Sequence, residues 1–269
     1  MTEMKVYILL LMFGAILAAP QPERIMGGGM TLIQYFPFFV GVQHGIFGAW
    51  SQHCGGSLLS DHVVLTAASC LERHLAITLR VRVGASTNFG GDPMDVSDFK
   101  MHSSWNSPIY ENDIGLIFLR RRAVQSSYVG FASIAGASYT VPDNAVVVSI
   151  GLGVIRPDGS TPDFLQRTNL NIVNQDTCRQ RYAHLKTQPG YEDTPIITEN
   201  VMCTGFLTND GRGFCSGDFG GPIIVEDEFE NKTVVGVASW THRCGDAVYP
   251  GVSTRVSRYS QWIVENSRV

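Results

Sequence analysis

The sequence has no large excess of charge of either sign, with 20 lysines and arginines against 24 aspartates and glutamates in 269 residues. With a net charge of -4 and a pI near 6.0, it lacks the excess of positive charge that binds a phosphate backbone. It also lacks the Cys/His spacing of zinc sites and any glycine-rich phosphate loop. We therefore expect no nucleic-acid partner, no metal and no cofactor.

Long apolar runs are absent after the N-terminus. The run from Val6 to Leu17, followed by Ala18 and Ala19, is typical of a secretory signal peptide, which predicts cleavage near residue 19. No later segment approaches the roughly 20 apolar residues that a membrane-spanning helix requires, so we expect no membrane span. A buried N-terminal strand or helix is the alternative interpretation of the same run.

Cysteines are few but even in number. Secretion would place the chain in an oxidising compartment, where its six cysteines are expected to form three disulfides. The spacing alone does not choose among the possible pairings.

Internal repeats, low-complexity tracts and flexible linkers are also missing, which favours one domain with two lobes. Short β-branched or aromatic runs, separated by turn residues, predict an all-β architecture of barrels or sandwiches. A helix is predicted only near the C-terminus, where Tyr259, Trp262 and Ile263 follow helical spacing. The predicted strands are 38–43, 62–66, 77–83, 114–119, 145–150, 234–239 and 251–256.

Four ordered blocks carry a family resemblance. They are R-I-M-G-G at 24–28, C-G-G-S-L-L with L-T-A-A-S-C across 54–70, N-D-I-G-L-I-F-L at 112–119, and C-S-G-D-F-G-G-P at 215–222. In this order they resemble the chymotrypsin-like serine proteases of the trypsin family. The resemblance implies two antiparallel Greek-key β-barrels with a C-terminal helix over residues 25–269, preceded by an activation peptide at 20–24.

The catalytic positions depart from the family pattern. The resemblance identifies Asp113 as the retained carboxylate, whereas Ser69 stands where the family has histidine and Phe219 where it has the nucleophilic serine. A serine hydroxyl is a poor general base near neutral pH. A phenyl ring carries no nucleophilic atom, so acyl transfer through position 219 is impossible.

Other residues could in principle substitute for the missing pair. His53, His62 and His74 lie nearest to Ser69 in sequence, and Ser216 precedes Phe219 by three residues. A displaced base and nucleophile would have to recover aligned geometry together, which triad chemistry requires strictly. We therefore favour the interpretation that the chain is an inactive homologue, not an enzyme.

The resemblance implies that other parts of the family's catalytic machinery are retained in this chain. Cleavage after Arg24 would free the amino group of Ile25, which would pair with Asp218. The backbone amides of Gly217 and Phe219 would form the oxyanion hole. The implied disulfides are Cys54–Cys70, Cys178–Cys203 and Cys215–Cys244.

The implied specificity pocket has an altered floor and wall. Gly213 stands in place of the aspartate of trypsins, so the pocket should not prefer Arg or Lys. Thr241 replaces a wall glycine and narrows the entrance, while Gly251 keeps the other wall open. Ser239 and Trp240 complete the implied pocket.

The resulting hypothesis is a secreted, monomeric homologue that binds proteins (a protease, an inhibitor or a substrate) as a decoy or as a protease cofactor. The alternative is an active serine-type endopeptidase. A digestive or storage protein under relaxed constraint is a third interpretation. Asn231, in the sequon Asn-Lys-Thr, is predicted to be glycosylated.

Overall fold

Two antiparallel barrels account for most of the structure. The computed structural model describes residues 28–107, 109–154, 161–207 and 211–268. The predicted signal peptide, the activation peptide, Arg24 and Ile25 lie outside these ranges.

The first barrel has six strands: β2 (Phe39–Ile46), β3 (Ala49–Leu58), β4 (Val63–Thr66), β5 (Leu79–Val83), β6 (Asp92–Met101) and β7 (Gly115–Leu119). It closes in the order β2-β3-β4-β7-β6-β5. Its strand β5 shows how the sequence builds the wall: Leu79, Val81 and Val83 are buried, while Arg80 and Arg82 between them face outward. This alternation follows from the two-residue period of a strand.

The second barrel has six strands: β9 (Val146–Gly151), β10 (Gln166–Val173), β11 (Val201–Gly205), β12 (Pro222–Glu226), β13 (Lys232–Trp240) and β14 (Gly251–Arg255). They run in the order β10-β11-β14-β13-β12-β9, and pairing of β9 with β10 closes the barrel. Two short strands flank it: β1 (Gly29–Met30) pairs with β10, and β8 (Ser133–Ile134) runs parallel to β13. The predicted all-β fold of two barrels is confirmed.

The predicted C-terminal helix is present as α2 (Val256–Asn266), with Tyr259 and Ile263 buried against the core. A second helix, α1 (Gln175–Lys186), was not predicted, because its sequence is polar and only Cys178, Tyr182 and Leu185 are buried. The side chain of Asn174 caps α1 by accepting a hydrogen bond from the N–H of Thr177 at 3.0 Å.

The seven predicted strands are present, but each has at least one end that lies one to three residues from the prediction, and two of these differences have a clear cause. The strand expected from residue 77 begins at Leu79, because residues 76–78 form a 3₁₀ turn in which Thr78 bonds back to Leu75. The strand expected to reach residue 256 ends at Arg255, since Val256 already opens α2.

Two disulfides connect a helix or 3₁₀ turn to a barrel strand, and a third joins the loops before β12 and after β13. The bonds are Cys54–Cys70, Cys178–Cys203 and Cys215–Cys244, the pairs that the resemblance implies. Each closes a loop worth about 3 kcal/mol in the chain-entropy account. Among the described residues, no helix is long and apolar enough to cross a membrane.

Candidate active site between the two barrels

Asp113 lies two residues before β7 and is fully buried. Its Oδ1 accepts the backbone N–H of Ser69 at 2.7 Å, and its Oδ2 accepts the hydroxyls of Ser69 at 2.9 Å and Ser239 at 2.5 Å. Its own carbonyl accepts the hydroxyl of Thr254 at 2.7 Å. The carboxylate is thus bonded by Ser69 and by Ser239 of the second barrel, while Thr254 of the same barrel fixes the backbone carbonyl of Asp113.

Burial raises the pKa of Asp113 to about 6, although the hydrogen bonds from Ser239 and Ser69 act to lower it. The carboxyl group therefore titrates much closer to neutrality than an exposed aspartate does. A carboxylate of this pKa is a stronger base than an ordinary one.

Ser69 occupies the 3₁₀ turn Ala68–Cys70, which the Cys54–Cys70 disulfide ties to β3. The histidines considered as replacements for the missing base make other contacts. The ring of His53 bonds to the carbonyl of Cys70 at 3.2 Å, and His62 pairs with Asp61. Within the described residues, no histidine is among the hydrogen-bond partners of Asp113.

His53 belongs to a histidine cluster that also contains His44 and His74. The ring of His74 lies 4.4 Å from that of His44 and 4.8 Å from that of His53, measured between centroids. Burial is the main reason why the pKa values of His53 and His74 are lowered, and repulsion between the rings lowers them further.

Phe219 stands in the loop that precedes β12. Its carbonyl accepts the N–H of Gly55 at 2.8 Å, which fixes the loop to the first barrel. Gly217 has φ of +90°, a conformation that favours glycine. Within the part of the chain that the structure describes, the N–H groups of Gly217 and Phe219 donate no hydrogen bond. They are therefore available to an acceptor from outside.

Asp218, between these two residues, points inward and is 1% exposed. Its carboxylate accepts the N–H of Gly153 at 2.8 Å and that of Cys215 at 3.0 Å. Burial raises its pKa to about 7, and the two backbone hydrogen bonds only partly offset this effect. The ionised group would gain strongly from a nearby cation.

An aromatic side chain that was not predicted as part of the pocket lies against one of the predicted pocket residues. Phe214, between Gly213 and Cys215, is only 1% exposed. Its ring lies against Gly251, where an added Cβ would be 2.6 Å from the ring's Cζ. It also meets the ring of Phe219 edge to face, with centroids 6.2 Å apart. The only available sequence signal was a large side chain directly after the expected pocket floor.

The remaining predicted pocket residues line the end of β13. Ser239 is buried through its bond to Asp113, and the ring of Trp240 packs edge-on to Tyr182 at 4.9 Å. The hydroxyl of Thr241 donates to the carbonyl of Arg243 at 2.8 Å. Among the described residues, no group of three or more His, Cys, Asp or Glu side chains is arranged to hold a metal ion.

Comparisons with known proteins show clear relatives. The trypsin family model matches residues 25–263. Trypsin, alkaline B and trypsin, alkaline C of Manduca sexta are 38% and 37% identical over 263 residues, covering 97% of this chain and 98% of each relative. Trypsin CFT-1 of Choristoneura fumiferana is 36% identical over 260 residues, covering 96% of both chains.

These matches contradict the prediction that the chain is not an enzyme. Relatives that cover nearly its whole length are named trypsins, and nothing in the matches sets the chain apart as inactive. The residue types at 69 and 219 remain facts of the sequence. A hydrolytic mechanism at this site would therefore have to use groups other than a histidine at 69 and a serine at 219.

Proposed function

This chain belongs to the trypsin family of serine proteases, and from that premise we propose that it binds an extended segment of another protein in the cleft between its barrels. The observation that carries the proposal is the pair of unbonded N–H groups at Gly217 and Phe219. Both residues are only partly buried, so their N–H groups can meet an acceptor that enters from solvent, and the pair favours a ligand that brings a carbonyl oxygen.

The rest of the cleft supports backbone recognition. Phe219 has its carbonyl fixed by Gly55 and its ring held by Phe214, so its N–H direction is set before a ligand arrives. Such preorganisation reduces the entropy lost on binding. The partner would be a protease, an inhibitor or a substrate protein, and the chain would act on it as a decoy or as a protease cofactor.

Peptide hydrolysis is the second candidate, because the relatives are named trypsins and Asp113 has a raised pKa beside a hydroxyl. In this scheme the Ser69 hydroxyl passes its proton to Asp113 Oδ2 while its oxygen attacks the carbonyl carbon of the peptide. The N–H groups of Gly217 and Phe219 would stabilise the resulting oxyanion. Asp113 would then give that proton to the amine as the C–N bond breaks, and water, activated by the same carboxylate, would hydrolyse the acyl ester on Ser69.

The test of binding uses a small protein inhibitor with a rigid extended loop as the probe, measured by calorimetry. Ser216 is exposed and precedes Gly217, so Ser216→Arg should obstruct the cleft and weaken binding at least tenfold. Ser138→Arg is the matched control, because this exposed serine follows β8, which pairs with the far end of β13. Equal affinities of the two variants would contradict the proposal.

The test of hydrolysis uses fluorogenic peptides with the same protein samples. If Ser69 is the nucleophile, Ser69→Ala should remove turnover while leaving the affinity for the inhibitor nearly unchanged. Turnover that persists in Ser69→Ala and Asp113→Asn would rule out this scheme.

We further propose that the protein is a secreted monomer, with a signal peptide at 1–19, an activation peptide at 20–24 and a protease-like domain at 25–269. Its three disulfides support secretion, since such bonds persist in oxidising compartments. Detection of the protein in the medium of expressing cells, with an N-terminus after residue 19, would test secretion and the signal peptide. Analytical sedimentation would test whether the protein is a monomer.

A further inference from the structure

The side chain of Phe214 lies where a ligand's side chain would be expected to enter. The pocket implied by the family resemblance has Gly213 and Gly251 on its surface. The ring of Phe214 covers Gly251 closely: the three atoms nearest to a Cβ added there, at 2.6, 2.8 and 3.2 Å, all belong to this ring. The absence of a side chain at Gly251 therefore makes room for the ring of Phe214.

The ring is held from two further directions. Cys215, the next residue, is tied to Cys244 by a disulfide. Phe219 meets the ring of Phe214 at 83°, in the edge-to-face arrangement that aromatic pairs prefer. Phe214 is buried in the main hydrophobic core, and Phe219 packs against that core. Displacing Phe214 would expose an aromatic side chain, so a ligand would have to offset that loss before it gained any contact.

We propose that Phe214 is an internal occupant of the specificity pocket and restricts the ligand to glycine or alanine at the residue facing it. The specificity statement rests on the proposed function, whereas the occupancy statement concerns this chain alone. Phe214 acts by steric exclusion. A ligand side chain larger than that of alanine would clash with the ring of Phe214, because the ring already fills the pocket.

The occupancy is tested first, with indole as the probe. Removing the ring in Phe214→Ala should open an apolar cavity, and such cavities bind small aromatic molecules. At about tenfold excess over its Kd, indole should raise the Tm of Phe214→Ala by about 3 °C and leave the wild-type Tm unchanged. An equal rise for the wild-type protein would overturn the proposal.

A second test measures the contact between Phe214 and Gly251 directly. Gly251→Ala should lower the Tm of the wild type by about 4 °C, because its Cβ would overlap the ring. The same change in a Phe214→Ala or Phe214→Leu background should cost less than half as much. Two backgrounds are used in case Phe214→Ala does not fold. Equal losses in all backgrounds would show that the ring does not occupy the space beside Gly251.

The ligand restriction is tested with cyclic peptides that copy a protease-inhibitor loop and differ at one residue. Wild type should bind the glycine and alanine peptides at least tenfold more tightly than those with leucine or phenylalanine, and Phe214→Ala should remove this preference. Tightest wild-type binding of the phenylalanine peptide would overturn the restriction. Failure of every peptide to bind would count against the proposed function, while the indole result would still decide the occupancy.

Discussion

Ser69 and Asp113 are joined by two hydrogen bonds, one from the backbone N–H at 2.7 Å and one from the hydroxyl at 2.9 Å. The two bonds reach different oxygens of the carboxylate, and Ser239 adds a third donor. A fully buried carboxylate is thereby satisfied without an imidazole. Serine at 69 is consistent with this role, because a side chain with no donor there would leave the carboxylate with one partner fewer.

Ser69→Ala is expected to reduce stability by about 1 to 2 kcal/mol, because it removes one hydrogen bond to a buried charged group. Ser239→Ala should cost more, since Ser239 is itself buried and lies nearer to the carboxylate. Denaturant unfolding at pH 8 would compare the two variants. A smaller effect at 239 than at 69 would contradict this ranking.

The stability of the uncleaved protein should fall as the pH rises. The folded-state pKa of Asp113, about 6, and that of Asp218, about 7, both lie above the reference value of 3.8. The folded state then holds these protons more tightly than the unfolded state, so their stabilisation is complete below about pH 4 and is lost through pH 6 to 7. The loss for Asp113 is on the order of 3 kcal/mol.

Asp113→Asn isolates this effect, because the amide cannot ionise and has nearly the same shape. The difference in unfolding free energy between wild type and Asp113→Asn should change between pH 4 and pH 7 in favour of the variant. A difference that stays constant over this range would show that the Asp113 pKa is not raised.

Cleavage after Arg24 is predicted to stabilise the protein. Asp218 is buried, with two backbone donors, and the new amino group of Ile25 would give it a cationic partner. Pairing would depress the pKa of Asp218, so this stabilisation would be present near neutral pH and lost as the pH falls through the depressed value. Trypsin treatment should therefore raise the Tm at pH 7 more than at pH 4.

Two variants serve as controls for the cleavage experiment. Arg24→Gln should resist trypsin at this bond and keep the Tm of the precursor. Asp218→Asn should be cleaved without the gain in Tm. N-terminal sequencing identifies the product, and a cleaved wild type that is no more stable than the precursor would contradict the prediction.

The sequence predicted those parts of the structure that depend on local pattern or on ordered family motifs. The alternation of apolar and charged residues in β5 and the helical spacing of apolar residues in α2 could be predicted, because each element buries one face. Helix α1 was missed because its buried face is narrow: only Cys178, Tyr182 and Leu185 follow helical spacing in an otherwise polar sequence, and the Asn174 cap and the Cys178–Cys203 bond add to its stability. The position of the Phe214 ring against Gly251 depends on contact between distant segments, which one sequence does not show.

Asn231 is predicted to carry an N-linked glycan. It is exposed in the turn between β12 and β13, where its side-chain amide donates to Asp227 at 2.8 Å. The exposed position leaves the sequon Asn231-Lys232-Thr233 accessible. Treatment of the secreted protein with an N-glycosidase should increase its electrophoretic mobility, and Asn231→Gln should already show the faster band. Identical mobility of all samples would refute the prediction.

Phe219→Ser combined with Ser69→His should raise kcat/KM for peptides above the wild-type value, whereas each single change should leave it nearly unaltered. Triad members act as one unit worth roughly 10⁶ in rate, so a nucleophile without its base gains little. The double variant would restore the base beside Asp113 and the nucleophile at 219 together, and the N–H groups at 217 and 219 are already available for the oxyanion. Because Phe214 occupies the pocket, peptides with glycine or alanine before the cleaved bond should be turned over best, and adding Phe214→Ala should extend turnover to leucine and phenylalanine. We expect a gain of at least about 100-fold, below the full value of the triad.

Peptide assays after cleavage at Arg24 measure this gain in kcat/KM, with circular dichroism to verify folding. A folded double variant with wild-type turnover would show that positions 69 and 219 are not aligned for triad chemistry, and a single variant matching the double would contradict the expected cooperation.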